Sequence, residues 1–294
     1  MENLKDYKKA GEIAQKITAF ARDLIKPGMP LVEIAKKIQD EIESHGAISA
    51  FPVNLSIDDV AAHYHPVIDD ESVAKGLLKV DIGVHVNGYI ADTAFSMDLS
   101  EDGRYGDLID ASEDALSEAL KLVEGDVTLG EIGGKIQDVI RKKGFSSIVN
   151  LSGHSLERFE IHAGLTIPNY DNGNKNKLGE GAYAIEPFAT TGEGKIYEGV
   201  SGNIYAVVSP KNTRSPIARK ILDYVADKYE TLPFSLREMQ EEFGSMARLG
   251  IKELENQGIV HNFHQLIEKG HGVVSQAEHT FVKGKDRVVV TTRE

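Results

Sequence analysis

The chain has 294 residues, with 33 Lys and Arg against 46 Asp and Glu, and no cysteine. A formal charge of −13 argues against general binding to nucleic acid or to an anionic membrane, both of which need a basic surface. Without thiols there are no disulfides, no zinc–thiolate sites and no cysteine nucleophile, so any metal must be held by His, Asp and Glu, a set that favours harder or borderline divalent ions.

Residues 1–25 repeat apolar positions at helical spacing (Leu4, Tyr7, Ala10, Ile13, Ala14, Ile17, Ala21, Leu24), and Pro27-Gly28 stops the run. This polar, helical opening does not read as a signal sequence. No apolar run in the chain approaches the ~20 residues that span a bilayer, so the expectation is a cytoplasmic protein. A second amphipathic helix is predicted over 31–45, then a short extended segment near 48–55 and a loop carrying His63 and His65.

The stretch 80–95, V-D-I-G-V-H-V-N-G-Y-I-A-D-T-A-F, is the most informative. Asn87-Gly88 is a strong signal for a two-residue hairpin, because both central residues of a type I′ turn need φ > 0. A turn there sets Gly83 opposite Asp92, and Asp81 and Asp92 share a face about 7–8 Å apart on the diagonal. A lone Asp on a strand is most often solvent-facing. Here the neighbours Val80, Ile82, Val84, Ile90, Ala91 and Phe95 imply burial, and two buried like charges cost several kcal/mol unless a cation or a proton compensates.

Helices are predicted next over 107–124 and 129–143. The segment from Leu129 repeats the one from Leu31: L-V-E-I-A-K-K-I-Q-D-E-I-E-S-H-G and L-G-E-I-G-G-K-I-Q-D-V-I-R-K-K-G agree at nine of sixteen positions, and V-N-L-S recurs at Val53 and Val149. We read an internal duplication, with two α/β halves packed about a pseudo-twofold axis and a site between them. The second half offers His154, His162 and Glu186. The last two follow apolar residues as a side chain at a strand end would, and Pro187 terminates the strand at Glu186. Any one of these histidines alone is more often a packed or surface residue than a ligand.

From 209 to 260 three short helices have no counterpart in the first half and read as an inserted, winged-helix-like subdomain, leaving 1–208 and 261–294 as the catalytic domain. Residues 211–262 carry eight basic against eight acidic side chains, so the insertion has no basic face for DNA and reads as a wall or lid on the site. Extended stretches at 273–282 and 288–292 close the chain. The first puts Glu278 in an apolar strand, a fifth candidate ligand beside Asp81, Asp92, His154 and Glu186. Four carboxylates and one imidazole over five segments are what a dinuclear hydrolase uses.

At A-A-H-Y-x-P from Ala61, K-V-D-I-G from Lys79, Asp92-Thr93-Ala94, G-H-S from Gly153, I-H-A-G from Ile161, A-I-E-P-F from Ala184, Thr231-Leu232-Pro233-Phe234 and Q-x-E-H-T from Gln276, the chain resembles the type 2 methionine aminopeptidases of metallopeptidase family M24, in their short, archaeal-like form. The resemblance spans essentially the whole chain. It implies an α/β (α+β) pita-bread fold and removal of the initiator Met from nascent polypeptides by a monomer, with ribosome association as a candidate property. It also implies two divalent ions (Co, Mn, Fe or Zn) held by Asp81, Asp92, His154, Glu186 and Glu278. Glu186 would take the nucleophile's proton, His63 would face the scissile nitrogen and His162 the carbonyl. Phe51, Ile161, Phe188 and Phe263, with residues near Ile204, would line the methionine pocket. His65, Ala277 and Phe263 depart from the family's usual residues, which bears on pocket shape and on tolerance at the residue after Met. A prolidase or Xaa-Pro aminopeptidase on the same fold is the rival enzyme, although such proteins usually carry a separate N-terminal domain and this hairpin begins too early for one. A pita-bread protein that has lost its metal ligands and serves as a binding module is the rival of another class.

Overall fold

A computed structural model describes residues 3–293. Helices α1 (Leu4–Leu24) and α2 (Leu31–Ser44) form where the apolar stripe predicts, burying Ile13, Ile17 and Ala21 on one and Ile34, Ile38 and Ile42 on the other. Strands β1 (Ile48–Ser49), β2 (Asn54–Ile57) and β3 (Val60–Ala62) lead to the hairpin β4 (Leu77–Val86) and β5 (Tyr89–Asp98). Its turn is at Asn87-Gly88, both with positive φ (55° and 86°), and Gly83 pairs with Asp92 as the turn dictates.

Helices α3 (Gly106–Leu122) and α4 (Leu129–Lys142) follow, then β6 (Ser146–Ser147), β7 (Ser152–Leu156), β8 (Thr166–Pro168), β9 (Gly181–Ile185), β10 (Phe188–Thr190) and β11 (Ile196–Val207). The insertion supplies α5 (Pro216–Tyr229), β12 (Phe234–Ser235), α6 (Leu236–Phe243) and α7 (Met246–Asn256). The chain ends with β13 (Val260–Glu268), β14 (Val274–Gln276), β15 (Glu278–Lys283) and β16 (Val288–Val290). The predicted strand 273–282 is therefore two strands. Ala277 breaks it by donating its N–H to the Pro187 carbonyl, which leaves β14 and β15 in different sheets.

The main sheet is nine-stranded and antiparallel, with the order β1-β4-β5-β15-β9-β7-β8, β2 beside β4 and β16 beside β15. Alternation divides its faces. Val80, Ile82 and Val84 of β4 pack into a core with α1 and α2, while Tyr183, Ile185 and Phe281 pack into a second core with α3 and α4. A four-stranded sheet, β12-β11-β13-β3, contributes Ile204, Phe263 and Leu266 to the cavity that the opposite face lines with Asp81, Asp92 and Glu278. A third sheet, β14-β10-β6, completes the fold.

The duplication is visible in space. Helices α2 and α4 have 14 residues each, each meets a glycine of positive φ (Gly46 at 70°, Gly144 at 87°), and each passes to a two-residue strand. Their N-termini have diverged: α4 has a Thr128–Glu131 capping box, whereas α2 starts after Pro30 without a side-chain cap. The inserted helices sit between β11 and β13, which pair directly from Val207 to Val260. These helices share a core with that hairpin through Tyr205, Phe234 and Val260.

Candidate active site

The five carboxylate and imidazole candidates lie on five successive strands of the main sheet. Asp81 is in β4, Asp92 in β5, Glu278 opens β15, Glu186 directly follows β9, and His154 is in β7. Register fixes their common face. Asp81 and Glu278 both pair with Ala94, so all three side chains point the same way, and Asp92 is two residues from Ala94. His154 pairs with Ala184, and Glu186 is two residues farther on. Small residues at the centre, Ala94 and Ala184, leave room above the ladder for the carboxylates.

This face forms the polar end of a cavity of about 300 Å³. His154 Nε2 is 3.5 Å from Asp92 Oδ2 and 3.9 Å from Glu186 Oε1. Asp92, His154 and Glu278 present ligand atoms within 4.8 Å of one another. Asp81 Oδ1, Asp92 Oδ1, His154 Nδ1 and both carboxylate oxygens of Glu278 are buried without a hydrogen-bond partner. Native interiors rarely leave so many polar atoms unsatisfied in one place. A divalent cation would satisfy the carboxylate oxygens, and His154 Nε2, which faces Asp92 and Glu186, completes an oxygen-rich set with one imidazole that suits it. This buried Asp/His/Glu cluster is a divalent-metal site.

The electrostatics follow from that crowding. Burial pushes Asp81 up to about 7, against the opposing effect of Gln276, whose Nε2 donates to Asp81 Oδ2 at 3.3 Å. Burial and then the Asp81 charge hold Asp92 well above the usual carboxylate range. Glu186 is raised by burial, then by Asp81 and Asp92; Glu278 is raised by burial, then by Asp92, Glu186 and Asp81. His154 is pushed down to about 3 by burial and then by His162, so its imidazole is neutral and able to ligate. The ring centroids of those two histidines are 4.5 Å apart.

Around this centre the cavity walls include His63, Phe51, Ile161, His162, Phe188, Ile204 and Phe263, every pocket residue expected from the sequence. His63 meets Phe263 edge to face at 5.5 Å, and enclosure lowers its pKa to about 4. His162 lies in the loop between β7 and β8 rather than at a strand end. The sequence suggests that Gly83, opposite Asp92, leaves room for the carboxylates, but the Phe51 ring fills that space: a Cβ at Gly83 would lie 2.2 Å from Phe51 Cε1. Of the three departures from the family pattern, Phe263 lines the cavity; His65 is buried behind it and Ala277 packs into the α3/α4 core.

Sequence reasoning gave no role to Asn54, Asn150 or Gln276. The first two are the repeated asparagines of V-N-L-S and now line the same cavity. Gln276 opens the Q-x-E-H-T stretch and reaches Asp81. The repeat itself was the available signal for the asparagines. The backbone of β5 and β15 is fixed by threonines: Thr280 Oγ1 accepts from the Asp92 N–H and donates to the Asp92 carbonyl, both at 2.8 Å, and Thr93 Oγ1 donates to the Glu278 carbonyl.

Residues 5–226 match the model of metallopeptidase family M24. The chain is 44% identical over 290 residues to the methionine aminopeptidase of Pyrococcus abyssi, covering 96% of this chain and 97% of that protein. It is 40% identical over 296 residues to the methionine aminopeptidase of Methanocaldococcus jannaschii, covering 100% and 99%. The chain belongs to metallopeptidase family M24, among the methionine aminopeptidases. Solved structures agree on the fold. A thermophilic Arx1 superposes with a TM-score of 0.85 at 18% identity, covering 99% of this chain and 91% of that one. The methionine aminopeptidase of Rickettsia prowazekii superposes with a TM-score of 0.69 at 20% identity, covering 98% and 95%. The fold is thus of the pita-bread type. No described helix is long and apolar enough to cross a membrane.

Proposed function

We propose that this chain is a metal-dependent hydrolase that removes the N-terminal methionine of nascent polypeptides, with two divalent ions held by Asp81, Asp92, His154, Glu186 and Glu278. One observation carries the reading: a cluster of four carboxylates and a neutral imidazole, rich in unsatisfied oxygens, closes one end of a cavity otherwise walled by Phe51, Ile161, Phe188, Ile204 and Phe263. The polar end suits a free α-amine and the scissile carbonyl, while the apolar wall suits an unbranched thioether. Divalent ions supply such a site with Lewis acidity toward the carbonyl and with a nucleophilic water at neutral pH.

Each protein group then has its task. Glu186, its carboxylate on the cavity wall and its affinity for protons raised, takes the proton of the attacking water and passes it on. His63 stands on the side of the scissile nitrogen. His162, with its pKa lowered by burial, faces the carbonyl as a neutral donor. Phe51, Ile161, Phe188 and Phe263 select the side chain. In this reading 1–208 and 261–294 form the catalytic domain and 209–260 the helical insertion, which lends Pro233 to the cavity wall. The enzyme works as a cytoplasmic monomer.

The test uses metal-stripped protein restored with Mn²⁺, Co²⁺, Fe²⁺ or Zn²⁺ and assayed on Met-Ala-Ser, Leu-Ala-Ser and Ala-Pro-Ala, beside Asp92→Ala. Metal-dependent cleavage of the Met peptide alone, absent in Asp92→Ala, is the expected result. Preference for the Pro peptide would reassign the chain to the proline-specific relatives, and no turnover with any metal would make it a binding protein. Two ions bound per chain by titration calorimetry, falling in Asp92→Ala, is the expected stoichiometry.

A further inference from the structure

Arg237, on the first turn of α6 in the helical insertion, is only 2% exposed. Its guanidinium has three partners on three elements. Nε donates to His65 Nε2 at 3.2 Å, Nη1 to Glu241 Oε1 at 2.7 Å, and Nη2 to Gln39 Oε1 on α2. His65 Nδ1 lies 2.8 Å from the Val53 carbonyl oxygen. A carbonyl only accepts, so Nδ1 carries the proton and Nε2 offers its lone pair to Arg237. The imidazole is thus locked at both nitrogens.

The main chain of His65 is locked as well. Its N–H donates to the Gly202 carbonyl at 3.0 Å, and its carbonyl accepts from Asn203 Nδ2 at 3.0 Å. Two residues upstream, His63 adopts φ +64°, a conformation that a residue with a Cβ holds only when its surroundings impose it. A Cβ at Gly202 would lie 1.8 Å from the His63 carbonyl oxygen, so β11 presses directly on that strained segment. The ring of His63 then enters the cavity against Phe263.

We propose that Arg237 and His65 are positioning residues for His63, so that the helical insertion takes part in the reaction by clamping the strained 63–65 segment onto β11. The inference rests on the aminopeptidase reading for its kinetic consequence, but not for its structural one. Arg237 touches no residue of the metal cluster. Its effect should therefore fall on the step His63 serves, with metal binding unchanged.

The experiment is a double-mutant cycle. Arg237→Met keeps the aliphatic stem and removes the guanidinium; on Met-Ala-Ser with the Co²⁺-loaded protein it should lower kcat about 10- to 100-fold, with KM within about twofold, the scale of loss when a reacting group is misplaced. The Co²⁺ absorption spectrum and the metal titration should be unchanged. In a His63→Ala background the same substitution should lower kcat by no more than about twofold, because the group it aims is gone. Losses that multiply in the double mutant, or a loss confined to KM, would overturn the inference while leaving the proposed function standing. Gln39→Met, which removes one acceptor of Arg237 from outside α6, serves if Arg237→Met does not fold. It should give a smaller loss, equally absent in the His63→Ala background. Histidine-ring NMR of the metal-free protein provides a readout independent of turnover: the His63 ring signals should shift or broaden in Arg237→Met while those of His154 stay in place. Unmoved His63 signals would refute the inference whatever the substrate.

Discussion

Replacing Asp81 by Asn should stabilise the metal-free protein. Burial raises Asp81 from 3.8 to about 7, so above pH 7 the folded state carries a penalty on the order of 4 kcal/mol relative to the unfolded chain. The sign follows from proton counting. Between pH 4 and 7 the folded protein binds this proton and the unfolded chain does not, so stability falls as pH rises through that window and levels off above it. Asparagine keeps the shape, accepts from Gln276 as the carboxylate does, and has no charge to desolvate. For a chain of this size, thermal unfolding of EDTA-treated Asp81→Asn at pH 8 should lie roughly 10 °C above wild type, and the gap should shrink steadily toward pH 4. Divalent metal should narrow the gap to well under half, because an ion at about one hundred times its dissociation constant adds about 2.7 kcal/mol to wild type and little to the variant. A metal-free gap that is absent, negative or independent of pH would refute the argument that the cluster is held against its own electrostatics.

Three further outcomes test other parts of the structure. Gly83→Ala would drive a methyl to 2.2 Å from Phe51 Cε1, so steady-state kinetics on Met-Ala-Ser should show KM rising by about tenfold with a smaller change in kcat, because the displaced ring belongs to the pocket wall. Lys79 is buried, donates to the Asp58 carbonyl at 2.7 Å and is pushed down to about 7 by desolvation. Its unfolded form binds the extra proton between pH 7 and 10.5, so urea stability should rise over that range in wild type and less steeply in Lys79→Met. Glu268, wholly buried, accepts from the N–H groups of Gly194, Gly270 and Gly272. Glu268→Gln turns an amide donor toward those donors and should lower unfolding free energy by about 3 kcal/mol in urea titration.

The elements legible in the sequence were those whose pattern survives burial on one side. The stripes of α1 and α2, the Asn-Gly turn and the alternation of β4 each encode a single interface, and register then places Asp81 and Asp92 without further information. Strands β11 and β13 are harder to read. β11 has register shifts around Ser201 that break its alternation, and β13 buries Asn262, which Ser201 and Glu255 satisfy by hydrogen bonds. Arg237 and Glu238 are adjacent charged residues on a short helix, yet both are buried, because Gln39, His65, Tyr229 and Ser235 from four other segments supply their partners. Glu241 and Ser235 are local partners, but Gln39 and His65 are distant in sequence, and no local period records them.

The order of the strands explains how the fold brings this cluster together. Strands β5 and β15 pair at only two positions, Ala94 with Glu278 and Thr93 with His279, and beyond them the ladder is carried by the Thr280 hydroxyl rather than by backbone groups. That local replacement lets two carboxylate-bearing strands approach without the strict spacing of a regular ladder. On the reverse face β15 is anchored by Phe281 in the α3/α4 core and β5 by Ala91 and Phe95 in the α1/α2 core, with Ile185 of β9 and Val80, Ile82 and Val84 of β4 beside them. The apolar face therefore supplies the stability that the polar face gives up. The proposed site needs both halves of the duplication, because Asp81 and Asp92 come from one, Glu186 and His154 from the other, and Glu278 from the strand that joins them in the sheet.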